Sequence, residues 1–194
     1  MAITPPSEAR ITTQRYFALV DEGVLQQDDR VELLEGVVVA VAPQGPRHGT
    51  CLHKVADALR AALPPGYSIR TQAALIAGPI SVPEPDVAIV RGTHDDYAHA
   101  HPDAALLVVE VAASSLAQDR ITKQRIYAAA GLPHYWIVNL REDFVEVYSD
   151  AEPEQRCYAE CRVVARGEFL EIPIPGAHAV AVTDLLPPPL PADA

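Results

Sequence analysis

The chain is 194 residues long, 49% hydrophobic and 21% charged, which excludes a disordered or low-complexity protein and predicts one folded domain. Its 26 acidic residues against 15 Lys and Arg give a formal charge of −11, which excludes tight polyanion binding through overall charge unless carboxylates hold a divalent cation that reverses the field locally. No apolar run is long enough to cross a bilayer, so a membrane partner is set aside.

Residues 1–11 read as a flexible lead without the basic start and apolar stretch of a secretory signal. The odd set of three cysteines, Cys51, Cys157 and Cys161, fits a reducing setting, and the expected location is cytoplasmic. Cys157 and Cys161 lack a second Cys/His pair at zinc-ligand spacing. The domain proper is expected over residues 12–186. Thr12 or Thr13 caps a short helix ending near Gly23, and "RVELLEGVVVAVAP" reads as two strands joined near Gly36 and closed by Pro43.

In "PRHGTCLHKVADALRAALPPG", Leu52, Val55, Ala56, Leu59 and Leu63 share one helical face, and Pro64, Pro65 and Gly66 stop the helix. "YSIRTQAALIAG" and "DVAIV" follow as strands, and a polar loop leads to "LLVVEVA", a strand buried on both faces. A second helix is expected over about 119–130, with Asp119 as N-cap, Gly131 at its end and Pro133 beyond. "HYWIVNL" and "DFVEVYS" form a hairpin, weakly patterned β or coil runs to about residue 175, and residues 187–194 are a Pro-rich tail. The expected class is α/β, bordering on α+β, with a mixed sheet flanked by helices.

Two carboxylates stand out by position. Asp86 lies between prolines directly before a β-branched run, and Glu110 interrupts an otherwise apolar strand. If these strands are antiparallel neighbours, both carboxylates fall at one edge of the sheet. A buried glutamate needs a cation or a proton. Asp119, Lys123 and Tyr127, at i, i+4 and i+8, stack on one face of the helix that follows, from which Lys123 can lean back over the carboxylates. Two carboxylates with the carbonyl of Val111 make an oxygen donor set suited to Mg²⁺, with Mn²⁺ as an alternative. A water activated there and oriented by Lys123 could attack a phosphodiester, the amine also offsetting charge on the phosphate. Against this stands the plainer reading, in which Asp86 is a turn residue, Glu110 faces water, Asp119 only caps and Lys123 is solvated.

The succession "VELLEG", a His-bearing helix, "PEPDVAIV", "LLVVEVAASS", "DRITKQRIYAAAGLPHYWIVNL" and "VEVYS" resembles the Uma2 family of endonucleases, within the PD-(D/E)xK nuclease superfamily, over about residues 12–186. The resemblance implies a restriction-endonuclease-like fold and Mg²⁺-dependent phosphodiester cleavage. Asp86 matches the Pro-Asp of the motif and Glu110 its second acidic residue, while Glu32 and His48 match further positions and serve as secondary candidates with Tyr127, which would orient Lys123 or touch phosphate. Two departures are visible. Ala112 stands where the motif has its lysine, so Lys123 is expected to supply the amine from the helix, and "AASS" replaces "LSPS".

Other groupings carry less. His94, Asp95, Asp96, His99 and His101 read as solvated loop, His53 as lying at the core edge, and His134 and His178 as strand flanks. Ser114 and Ser115 lack a nucleophile elbow, and Tyr135 and Trp136 fill core. The function expected is a metal-dependent endonuclease acting on nucleic acid, DNA rather than RNA. A homodimer is compatible with cutting both strands of a duplex. The alternative is a catalytically idle nuclease-fold module that binds a protein or nucleic-acid partner.

Overall fold

A six-stranded mixed sheet runs through the molecule in the order β3-β4-β5-β6-β7-β8, formed by Tyr67–Thr71, Val87–Arg91, Leu107–Ala112, His134–Asn139, Phe144–Glu152 and Cys157–Ala165. The computed structural model describes residues 10–26 and 28–189, so most of the expected lead and tail lies outside the described residues. All neighbours in the sheet are antiparallel except β5 and β6, which are parallel and joined by a helical crossover. Parallel partners need such a connection, and here it carries chemistry to the strand ends.

The two faces of β5 explain its apolar composition. Leu107, Val109 and Val111 face one layer, containing α2 (Pro46–Ala62) and α5 (Val182–Leu185). Val108 and Ala112 face the other, with Ile126 and Tyr127 of α4 (Gln124–Ala129). Alternation therefore turns Glu110 toward the α4 layer, and every residue of β5 is buried, as the sequence predicts. Helix α2 buries Leu52, Val55, Ala56 and Leu59, while Leu63 falls one residue beyond it as the half-buried C-cap. His53 points to solvent, because the stripe repeating at i, i+3 and i+4 leaves it on the opposite side.

Helix α1 (Thr13–Asp21) starts at the Thr12 cap, whose hydroxyl accepts the Arg15 N–H at 3.1 Å. Strands β1 (Val31–Leu34) and β2 (Val37–Ala40) form a separate antiparallel hairpin. Its two-residue turn places Glu35 at φ 50° and Gly36 at φ 82°, and a Cβ on Gly36 would sit 2.6 Å from Arg10 Cβ. Two arginines, Arg125 and Arg156, grip the Glu35 carboxylate, and Leu33 exchanges backbone hydrogen bonds with Val82 at 3.2 and 2.7 Å. These contacts pin the hairpin across the end of the main sheet.

Two expectations about local structure are corrected, and one left open between β and coil is resolved. Residues 72–78 are irregular rather than strand, since Gln72, at φ 47°, turns the chain away after β3. Residues 157–165 form a full nine-residue strand, held by pairing to β7 despite weak alternation. The helix after β5 starts earlier than Asp119: α3 (Leu116–Gln118) follows Ser115, continues as a π-helical segment (Asp119–Lys123), and passes into α4. Asp119 is thus inside the helix, and its carbonyl accepts from the Gln124 N–H in the wider i→i+5 pattern. Short two-stranded β9 (Phe169–Leu170) and β10 (Val180–Ala181) complete the α2 layer.

Candidate active site

The ladder between β4 and β5 ends at the pair Val87–Val109, which would leave the backbone of Val111 without a strand partner on the β4 side. Asp86 supplies one. Its Oδ2 accepts the Val111 N–H at 2.8 Å and lies 3.1 Å from His48 Nε2. Gln72 and Gln44 approach Oδ1 at 3.3 and 3.4 Å. Ala112 gives its carbonyl to the Leu140 N–H on the β6 side, so the Val111 carbonyl turns the other way, toward Asp86.

Glu110 lies on the α4 side, where Tyr127 donates to its Oε1 at 2.6 Å and Lys123 donates to the same oxygen at 3.0 Å. Lys123 also donates to Glu32 Oε1 at 2.9 Å, and that oxygen accepts the Glu84 N–H at 2.7 Å. An amine on the helix therefore reaches the strand face where a lysine at position 112 would have pointed, since residues 110 and 112 share that face. Lys123 is 7% exposed, Glu32 and Glu110 each 4%, which removes the reading of Lys123 as a solvated surface residue. Nearby, Ser115 donates to Asp119 Oδ2 at 2.6 Å, making Asp119 an acceptor within the site rather than a cap.

A cleft of about 450 Å³ opens over these groups, lined by Glu32, Glu84, Asp86, Glu110, Asp119, His48, Lys123 and the backbone of Val111. Seven carboxylate side chains line it against two fixed cations, Arg30 and Lys123, so its field attracts cations. Burial pushes the Glu110 carboxyl well above the usual carboxylate range. Lys123 opposes that rise, and Asp86, Asp119 and Glu32 reinforce it. Burial also moves Asp119 up to about 6, against the pull of Lys123 and the Ser115 hydrogen bond. For Lys123 burial acts downward, yet Glu110, Glu32 and Asp119 outweigh it and hold the ammonium above its ordinary value. Tyr127 is raised by burial and then by Glu110, so it remains a protonated donor.

Asp86, Glu110, Val111, Lys123, Glu32 and His48 are thus gathered at one cleft. Tyr127 is fully buried behind Glu110, with its ring in the α4 core and outside the cleft lining, and its hydroxyl shares Glu110 Oε1 with Lys123. Sequence reasoning passed over Glu84, which shares the motif "PEPD", and Gln44 and Gln72, which carry no local signal. The loop histidines lie elsewhere: His101 stacks on Phe17 with ring centroids 5.3 Å apart, and Asp96 accepts from Thr93. Cys51, Cys157 and Cys161 are all free thiols.

Among the described residues, no three His, Cys, Asp or Glu side chains form a ready-made metal cage. What the cleft offers is a partial oxygen set from Asp86, Glu110 and the Val111 carbonyl, with room for water. Oxygen donors of this kind suit a hard divalent cation.

A family model described as "Uma2: Putative restriction endonuclease" matches residues 13–183. Among solved structures, the chain is similar to one described as "a putative nuclease belonging to DUF820" from Anabaena variabilis ATCC 29413. The TM-score is 0.70 at 17% identity, over 90% of this chain and 97% of that one. At that identity the likeness is one of fold, a mixed sheet flanked by helices as in that nuclease-like structure. No curated protein matches. No helix among the described residues is long and apolar enough to cross a membrane.

Proposed function

The chain belongs to the Uma2 family, and on that premise we propose that it is a divalent-metal-dependent endonuclease hydrolysing phosphodiester bonds of DNA. The observation that carries the reading is the convergence of Asp86, Glu110 and Lys123 on one acidic cleft, with Lys123 buried between Glu110 and Glu32. Asp86, Glu110 and the carbonyl of Val111 would hold the ion, Mg²⁺ or in its place Mn²⁺, which would supply a water of lowered pKa and charge to polarise a phosphoryl oxygen.

The remaining work falls to the chain's own groups. Lys123 stays protonated, so it acts as a donor and a fixed positive charge rather than a base. Two of its three N–H bonds are taken by Glu32 and Glu110, and the third is left to meet a phosphate oxygen or the attacking water. Glu32 fixes the ammonium from the side opposite Glu110, anchored in turn by the Glu84 N–H. The Val111 N–H holds the Asp86 carboxylate, with His48 Nε2 lying 3.1 Å from the same oxygen. Tyr127 does the same for Glu110 from inside the core.

The test is nicking of supercoiled plasmid by the purified protein with Mg²⁺ or Mn²⁺. Wild type is expected to nick in either ion, and Asp86→Asn, Glu110→Gln and Lys123→Met to lose 100-fold or more, the order expected when one preorganised charge is removed. Equal traces in wild type and all variants would mean contamination and would refute cleavage by this cleft. Metal bound without cleavage would leave the idle nuclease-fold module.

A further inference from the structure

Strand β8 is the last of the six-stranded sheet, and among the described residues no element pairs with its outer side. Edge strands are commonly short, interrupted by proline or covered. This one runs nine residues without proline, and Ala159–Val163 are all exposed, Val163 at 58%. The direction of its backbone groups follows from Ala165, whose N–H donates to Glu168 Oε2 at 2.6 Å and whose carbonyl accepts the Glu168 N–H at 3.0 Å. Both groups thus turn away from β7. By alternation the N–H and C=O of Val163 and Cys161 also point outward, while Glu160, Arg162 and Val164 serve the ladder with β7, which skips the pair Asp150–Ala159 where Asp150 has φ 57°.

We propose that β8 pairs with β8 of a second copy of this chain, antiparallel about a two-fold axis through Cys161, so that two six-stranded sheets become one. Three central registers place outward-facing backbone groups opposite one another. An axis at Glu160 sets two glutamates face to face, and an axis at Arg162 sets two arginines so. An axis at Cys161 instead sets Glu160 against the partner's Arg162 on both sides of the dyad, and charge complementarity selects it. In that register Cys161 meets the partner's Cys161, the two exchanging both backbone hydrogen bonds, and Val163 lies opposite the partner's Ala159. The cleft stays open in both copies, because β5 lies three strands in from this edge.

Sedimentation velocity over a wide concentration range tests the register by charge exchange. Wild type is expected to dimerise. Arg162→Glu and Glu160→Arg should each weaken the dimer about tenfold or more, and the double variant should recover it. A wild type that stays monomeric, single variants that dimerise like wild type, or a double variant of unchanged melting temperature that stays monomeric would each overturn the proposal. A second readout needs no charge variant. The register brings the two Cys161 Cα atoms to about 5.5 Å, within disulfide reach. Oxidation of the two thiols by copper(II)–phenanthroline should therefore give a covalent dimer of wild type and none of Cys161→Ser. A covalent dimer that persists in Cys161→Ser, or fails to form in wild type, would also overturn it.

Discussion

Replacing Lys123 by Met removes the one ammonium that Glu32 and Glu110 share, while keeping most of its aliphatic volume. Both carboxylates are 4% exposed, so the variant leaves two buried acids facing each other. Breaking a buried ion pair by removing one partner costs about 3–5 kcal/mol. In a domain of this size that corresponds to a fall of roughly 10 °C in melting temperature. The deficit should depend on pH. Burial already raises the folded Glu110 above its unfolded value, and loss of Lys123 removes the group that opposes the rise. The stability tied to such an acid is fully present below its unfolded pKa, near 4.3, and is lost as pH climbs through the higher folded value. Urea melts should therefore show the full deficit at about pH 8 and roughly half of it or less at about pH 5. Adding Glu110→Gln to Lys123→Met should recover much of the loss at the higher pH. A deficit under about 1 kcal/mol at pH 8, or one equal at both pH values, would refute the buried-charge argument.

Asp119, moved up to about 6 by burial, makes a contribution to wild-type stability that is complete below about pH 4 and lost as pH rises through about 6. Asp119→Asn should thus gain about 1–2 kcal/mol at pH 7.5 and nothing at pH 4, measured by urea melts; a loss at both would contradict the assignment. Tyr127→Phe takes the hydroxyl from Glu110 without touching the cleft wall. It should lower stability by about 1–2 kcal/mol, read as a melting shift of roughly 3–6 °C, and an unchanged melt would contradict the hydrogen bond.

Much of the architecture was legible because local patterns and tertiary demands agree. The repeat of Leu52, Val55, Ala56 and Leu59 marks the buried side of α2, and the aliphatic run around Glu110 marks a strand covered on both faces. The convergence of Asp86 and Glu110 followed from antiparallel pairing of their strands, which β4 and β5 adopt. Asp119 was misplaced because a carboxylate at a helix start reads the same whether it caps the helix or is capped by a serine four residues earlier. The π-helical register has no compositional mark either, since it swaps i→i+4 for i→i+5 bonds without changing residue preference. The junction of Glu32 with Lys123 spans 91 residues and depends on how the β1–β2 hairpin docks. Residues alone pointed to Glu32 only through family resemblance. The length of β8 was hidden because an exposed edge strand needs no strict alternation once β7 supplies its partner.

Cleavage at this cleft requires a divalent ion held by two particular carboxylates, Asp86 and Glu110. Calorimetric titration of Mn²⁺ into wild type, Asp86→Asn and Glu110→Gln at about pH 7.5, where the carboxylates give up protons to the metal, measures that directly. One saturable site per chain in wild type, weakened at least about tenfold in each variant, is the predicted result. The same affinity in all three proteins would contradict it.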